Sequence, residues 1–267
     1  MKLRYEMIAK QRLALGALCL LLGSSLAPPA IGQSPVASAP GSSPLSGDEV
    51  VRRMVQRNQQ RADALHSFQG TRTYHLTYQG FPIRREAEMV TTIIYRAPGT
   101  KQFTEVSQAG SKLIVDRVFR KLLESEQEAL KDENRARTSL NTENYNFTLT
   151  AYEADAQSPN YVFQVEPKNP SKFLYRGKVW IDAHDFAVSR MEVEPAKSPS
   201  FWTKKSEIFH VYAKVDGFWL PKQNRSVSTI RLGGQAVLTI DYSNYKILDP
   251  PAPQHTNQVS RMITVTN

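Results

Sequence analysis

FLYRGKVWIDAHDFAVSRMEVEPAKSPSFWTKKSEIFHVYAKVDGFWLPKQNRSVSTIRLGGQAVLTIDYSNYKI, residues 173–247, decides the fold. Apolar and polar side chains alternate, or nearly so, in successive runs ending at Asp182, Pro195, Val215, Ile230 and Ile247. Turn residues separate the runs: Ala183-His184-Asp185, Pro195 to Pro199, Asp216-Gly217 and Gly233-Gly234. A period of two sends alternate side chains to opposite faces of a strand. Short connections between such strands make antiparallel neighbours. The C-terminal third therefore reads as a five-strand meander with one greasier face.

The rest of the chain bounds what can be built on that meander. Its 267 residues are 40% hydrophobic, enough for a sizeable core. The formal charge is +9, and the basic residues are scattered along strands. A nucleic-acid arm would gather them in a block, so the expectation is a solvated basic surface that can touch an anionic membrane or partner. Cys19 is the only cysteine, and it lies in the leader. That excludes a disulfide framework, a thiol nucleophile and Cys-based metal sites.

Residues 1–12 are basic, and Leu13 to Leu26 is an apolar run ahead of Pro28-Pro29-Ala30-Ile31-Gly32. This is the pattern of a signal peptide over 1–32, cut after Gly32 with Ala30 three before the cut. A flexible linker follows over 33–47, rich in Ser, Pro, Ala and Gly. Ser46 with Glu49 makes a capping box. It opens a helix to about Leu65 whose apolar stripe is Val50, Val51, Met54, Val55, Ala62 and Leu65. Strands resume at Ser67, at Arg84 to Arg96 and at Lys101 to Ser107. Leu113 to Val118 suits either a strand or the start of the next helix. That helix is a polar one over Arg117 to about Arg137, expected to cross or cap one face of the sheet. Two more strands, Phe147 to Glu153 and Tyr161 to Glu166, lead into the meander. The prolines after Leu248 stop the last strand, leaving a C-terminal tail over 249–267 in which Met262 to Thr266 is a candidate edge strand. The expected architecture is mainly β (α+β): a single bent antiparallel sheet of about ten or eleven strands over 48–248, an unclosed half-barrel with helices covering the concave face.

Candidate chemistry is sparse. The five histidines are far apart in sequence, without the short spacing of a metal site. Asp182, His184 and Asp185 form the tightest polar knot, and they sit where the chain must turn. Glu192 and Glu194 share a strand face, but a carboxylate pair alone does not make a glycosidase, and Arg190, Lys204 or Lys205 can neutralise them. No serine lies in a nucleophile elbow. Gly233-Gly234 is a hairpin turn and not a phosphate loop. No catalytic residues, metal or cofactor are expected, so the chain reads as a binding protein and not an enzyme. What remains is aromatic and apolar: Trp180, Trp202, Trp219, Phe201, Phe209, Phe218 and Met191, for most of which core packing is the simple reading.

The stretches at 177–202 and 217–247, with NTENYNFTL at 141–149 as a weaker third, resemble the LolA/LolB-like superfamily, in particular bacterial outer membrane lipoprotein-sorting proteins. The resemblance covers about residues 48–247. It implies an unclosed barrel whose helices lid an apolar cavity for acyl chains. It implies a periplasmic carrier of lipoproteins or lipids on their way to the outer membrane. The partners implied are those acyl chains, membrane-bound donor and acceptor proteins and transient membrane-surface contact, with the chain a monomer. By strand parity the cavity would be lined by Tyr74, Leu76, Met89, Ile93, Val179, Met191, Phe209, Val211, Leu238 and Ile240. Two other readings remain: a lipid- or peptide-sensing envelope regulator, and a secreted hydrolase using carboxylates such as Glu192 or Asp182. Sensors of this shape carry a second domain, whereas only a short tail follows Ile247.

Overall fold

Among the described residues, the alternating runs form ten strands in a single antiparallel sheet, and the sheet does not close. The computed structural model describes residues 45–80, 83–129, 137–155, 157–171, 173–198, 203–231 and 233–248. The signal peptide, most of the linker, Phe201, Trp202 and the tail with its candidate edge strand lie outside the described residues. The strands are β1 (Ser67–Gln79), β2 (Arg85–Arg96), β3 (Thr100–Gly110), β4 (Tyr145–Glu153), β5 (Asn160–Pro167), β6 (Tyr175–Asp182), β7 (Val188–Pro195), β8 (Thr203–Val215), β9 (Phe218–Ile230) and β10 (Gln235–Leu248). Their order in the sheet is β3-β2-β1-β10-β9-β8-β7-β6-β5-β4. The meander expected from the sequence is β6 to β10, extended by β4 and β5. The Gly233-Gly234 turn joins β9 to β10 with φ of +98° and +95°, a left-handed conformation that glycine adopts without steric cost.

One pairing is not local. β10 runs antiparallel to β1, from Ser67 opposite Leu248 to Gln79 opposite Gln235. It fastens the β1-β2-β3 meander to the free side of the C-terminal one. β3 and β4 thereby become opposite edges of the sheet. The segment between them links one edge to the other, and its helix packs on the concave face.

That segment carries the second helix. The first, α1 (Gly47–Ala64), starts as the capping box predicts, with the Glu49 N–H donating to Ser46 Oγ at 3.4 Å. The second, α2, runs through Lys112–Ile114, a π-helical stretch Val115–Phe119 and Arg120–Ala129. The ambiguous Leu113 to Val118 is therefore helical, and the helix begins earlier than Arg117. Its buried apolar side chains are Ile114, Val115, Val118, Phe119 and Leu122. Spacings of one, three and four keep them on one stripe.

Both helices pack on the same face. Val50, Val51 and Met54 of α1 meet Phe163, Val179, Ile181 and Met191 of β5 to β7. The apolar stripe of α2 meets Tyr74, Leu76, Ala87, Met89, Leu238 and Ile240 of β1, β2 and β10. A third cluster at one end joins Leu65, Phe68, Ile93, Tyr95 and Leu220. Each large apolar side chain buried this way contributes about 1.5–3 kcal/mol.

Candidate ligand-binding site

One row of side chains crosses the concave face from β5 to β2. Cross-strand pairing places Phe163 beside Val179, Val179 beside Met191, and Met191 beside His210. It continues with Asn224, Ile240, Tyr74 and Met89. The row is apolar under α1, polar at His210 and Asn224, and apolar again under α2. The next row repeats the pattern, with Val193, Ile208, Ser226, Leu238 and Leu76. Ser206 and Ser228 extend the polar strip along β8 and β9, hydroxyl to hydroxyl at 2.8 Å.

Eight of the ten residues expected to line a cavity are buried on this face, in three groups. Tyr74, Leu76, Met89, Leu238 and Ile240 lie beneath α2. Val179 and Met191 lie beneath α1. Ile93 belongs to the end cluster. The other two are corrections. Met191 is opposite His210, and Glu192 is opposite Phe209. Phe209 and Val211 therefore project from the convex face, where Phe209 is 37% exposed. The inner face of β8 is Ser206, Ile208 and His210, so a parity that follows the greasier residues selects the wrong side. Phe209 instead borders a cavity of about 320 Å³ on the convex face, where β7 and β8 separate beyond Val193. Charged residues line it: Arg176 is paired with Glu194 at 2.9 Å and Lys205 with Glu207 at 2.6 Å.

The two helices are held differently. The last turn of α1 is tied to backbone: Arg61 donates to the Asp185 carbonyl at 2.9 Å and the Phe186 carbonyl at 3.1 Å. The Asp185 carboxylate in turn receives Trp219 Nε1 at 2.8 Å and Lys214 Nζ at 2.7 Å. Asp182 accepts the backbone N–H groups of His184 and Asp185 at 3.0 and 2.7 Å, the turn chemistry expected there.

α2 is clamped by buried charge. Glu126 reaches down to Arg72 of β1 at 2.6 and 3.0 Å and to Lys101 of β3 at 2.5 Å. All three side chains are at most 6% exposed. The Arg72 guanidinium also lies 4.9 Å from the Tyr242 ring and 5.3 Å from the Phe103 ring. Burial alone would raise the pKa of Glu126; the charges and hydrogen bonds of Arg72 and Lys101 outweigh it and hold the carboxyl down at about 2. Removing one partner of such a buried pair costs about 3–5 kcal/mol, yet an apolar replacement of the whole set is often no less stable. The triad is thus a specific clasp and a poor source of net stability. The sequence carried a signal for it: Arg72 has the same parity as Phe68, Tyr74 and Leu76.

At the centre of the polar strip, Asn224 Nδ2 donates to His210 Nδ1 at 3.2 Å. An amide nitrogen only donates, so Nδ1 accepts and the ring proton sits on Nε2. His210 stacks on Tyr212 at 4.5 Å. Burial, reinforced by Arg72 and opposed by Glu126, pushes its pKa down to about 3, so the ring is neutral at pH 7. His210 Nε2 and Asn224 Oδ1 are both buried and have no hydrogen-bond partner among the described residues. Each such atom costs about 1–3 kcal/mol.

No family model and no curated protein sequence matches the chain. Solved structures do. A LolA-superfamily protein of Nitrosomonas europaea is 16% identical, with 78% of this chain and 96% of that one covered and a TM-score of 0.33. An outer membrane lipoprotein-sorting protein domain of Vibrio parahaemolyticus is 11% identical, with 75% and 93% covered and a TM-score of 0.37. A DUF1329-family protein of Desulfovibrio piger is 15% identical, with 75% and 92% covered and a TM-score of 0.39. This chain is similar to LolA-superfamily structures over most of their length, at low identity.

Proposed function

We propose that this protein binds acyl chains on the concave face of the half-barrel, beneath α2, and carries lipoproteins or lipids through the periplasm. The observation that carries the reading is the way α2 is fastened. It covers an apolar floor of Tyr74, Leu76, Met89, Leu238 and Ile240. Its deepest polar contact is a charged clasp and not further apolar packing. A helix held so can leave its floor with its charges intact, because Glu126 regains water while Arg72 and Lys101 meet the oxygens of an incoming head group. α1, anchored to backbone at its last turn, stays as the fixed wall.

The driving force is burial of apolar chain. Each CH₂ contributes about 0.8 kcal/mol, so a chain of fatty-acid length contributes on the order of 10 kcal/mol before ordering costs. That gain must exceed the cost of lifting the apolar stripe of α2 from the same floor. Net affinity is therefore moderate, which suits a carrier that must release its load. Native mass spectrometry of the protein purified from a bacterial periplasm, followed by solvent extraction, tests this reading. Co-purifying acylated molecules are the expected result. A clean apo mass with no uptake of added fatty acid would overturn it.

A further inference from the structure

We propose that His210 and Asn224 form a polar subsite selecting acyl ligands whose linkage both accepts and donates a hydrogen bond, as an amide does and an ester does not. The proposal rests on the acyl-binding reading above and names the class of ligand. Its ground is the pair of atoms that the folded chain leaves over. His210 is 3% exposed, as is Asn224. Their mutual hydrogen bond uses Nδ1 of one and Nδ2 of the other. What remains is one donor, His210 Nε2–H, and one acceptor, Asn224 Oδ1, each without a partner among the described residues.

Their place is as informative as their chemistry. In the row across the sheet His210 neighbours Met191, on the floor of α1, and Asn224 neighbours Ile240, on the floor of α2. An acyl chain lying on the floor of α2 brings its linkage to the polar strip beside it. A carbonyl there accepts from Nε2–H. An amide N–H donates to Oδ1. An ester offers the carbonyl only and leaves Oδ1 facing another acceptor. A carboxylate or phosphate is less suited still, because Oδ1 is turned against its negative charge.

The sign of the preference separates this subsite from a featureless apolar groove. Amides are costlier to take out of water than esters, so a groove without the pair favours the ester. Matched probes settle the question: N-ethyldodecanamide and ethyl dodecanoate, each competing with a fluorescent fatty acid for the intact protein. The expected result is an amide that binds about tenfold tighter than the ester, the loss associated with one unpaired buried polar group. Asn224→Leu removes the acceptor and should reverse the order, the ester then binding the tighter of the two. Binding of both probes with the ester equal or better in the unaltered protein would overturn the subsite while leaving acyl binding intact. If neither probe competes and the fatty acid itself does not bind, the acyl-binding reading falls and takes the subsite with it.

Discussion

Glu126 sits at 6% side-chain exposure between two cations, and that arrangement makes its removal consequential. Glu126→Gln leaves Arg72 and Lys101 buried without a counter-charge. Stability in urea should fall by about 3–5 kcal/mol if α2 remains docked, and by less if α2 undocks and lets water in. In both cases the closed state loses more than the open one, so fatty-acid affinity should rise. A variant with unchanged stability and unchanged affinity would show that the clasp is not formed in solution. His210 gives a second test, through pH. Its folded pKa of about 3 lies below the usual 6.5. Below pH 6.5 the unfolded chain takes up a proton that the folded one refuses. The stability it contributes is therefore complete above pH 6.5 and is lost as pH falls towards 3, by up to about 1.4 kcal/mol per unit. Glu126, depressed from 4.5 to about 2, adds its own loss only between those lower values. Urea midpoints at pH 7.5 and 5.5 should thus show a drop that His210→Gln reduces. Equal drops in the two proteins would exclude a buried neutral ring at this position.

At the scale of elements, the alternating runs and their turns made β6 to β10 legible, and the capping box made the start of α1 legible. What failed has physical causes. Strand parity on β8 was drawn to Phe209 and Val211 because they are greasier than Ser206 and His210. The sheet instead buries the polar set, since the register from Met191 leaves no choice. Of the eight parity-selected residues on the concave face, five lie under α2, two under α1 and Ile93 in the end cluster, so they form separate patches. The start of α2 was ambiguous because Leu113 to Val118 has β-branched residues suited to a strand. It is a helix because its apolar residues, at spacings of one, three and four, bury one stripe on the sheet face.

For the whole molecule, the decisive contact is the β1–β10 pairing, which joins residues from 181 apart (Ser67 and Leu248) to 156 apart (Gln79 and Gln235) and leaves no local trace in the sequence. It sets β3 and β4 as the edges, sends α2 across the concavity and puts the polar strip of β8 and β9 between two apolar floors. The claim built on this frame is that α2 is the moving part and α1 the fixed one. Hydrogen exchange read by mass spectrometry, on the protein with and without saturating fatty acid, tests it most directly. Acyl binding should speed exchange in residues 112–129 by about tenfold or more while 47–64 stays protected, since local opening of one unit need not disturb another. Unchanged protection of α2 in the loaded protein, or faster exchange confined to α1, would contradict the account.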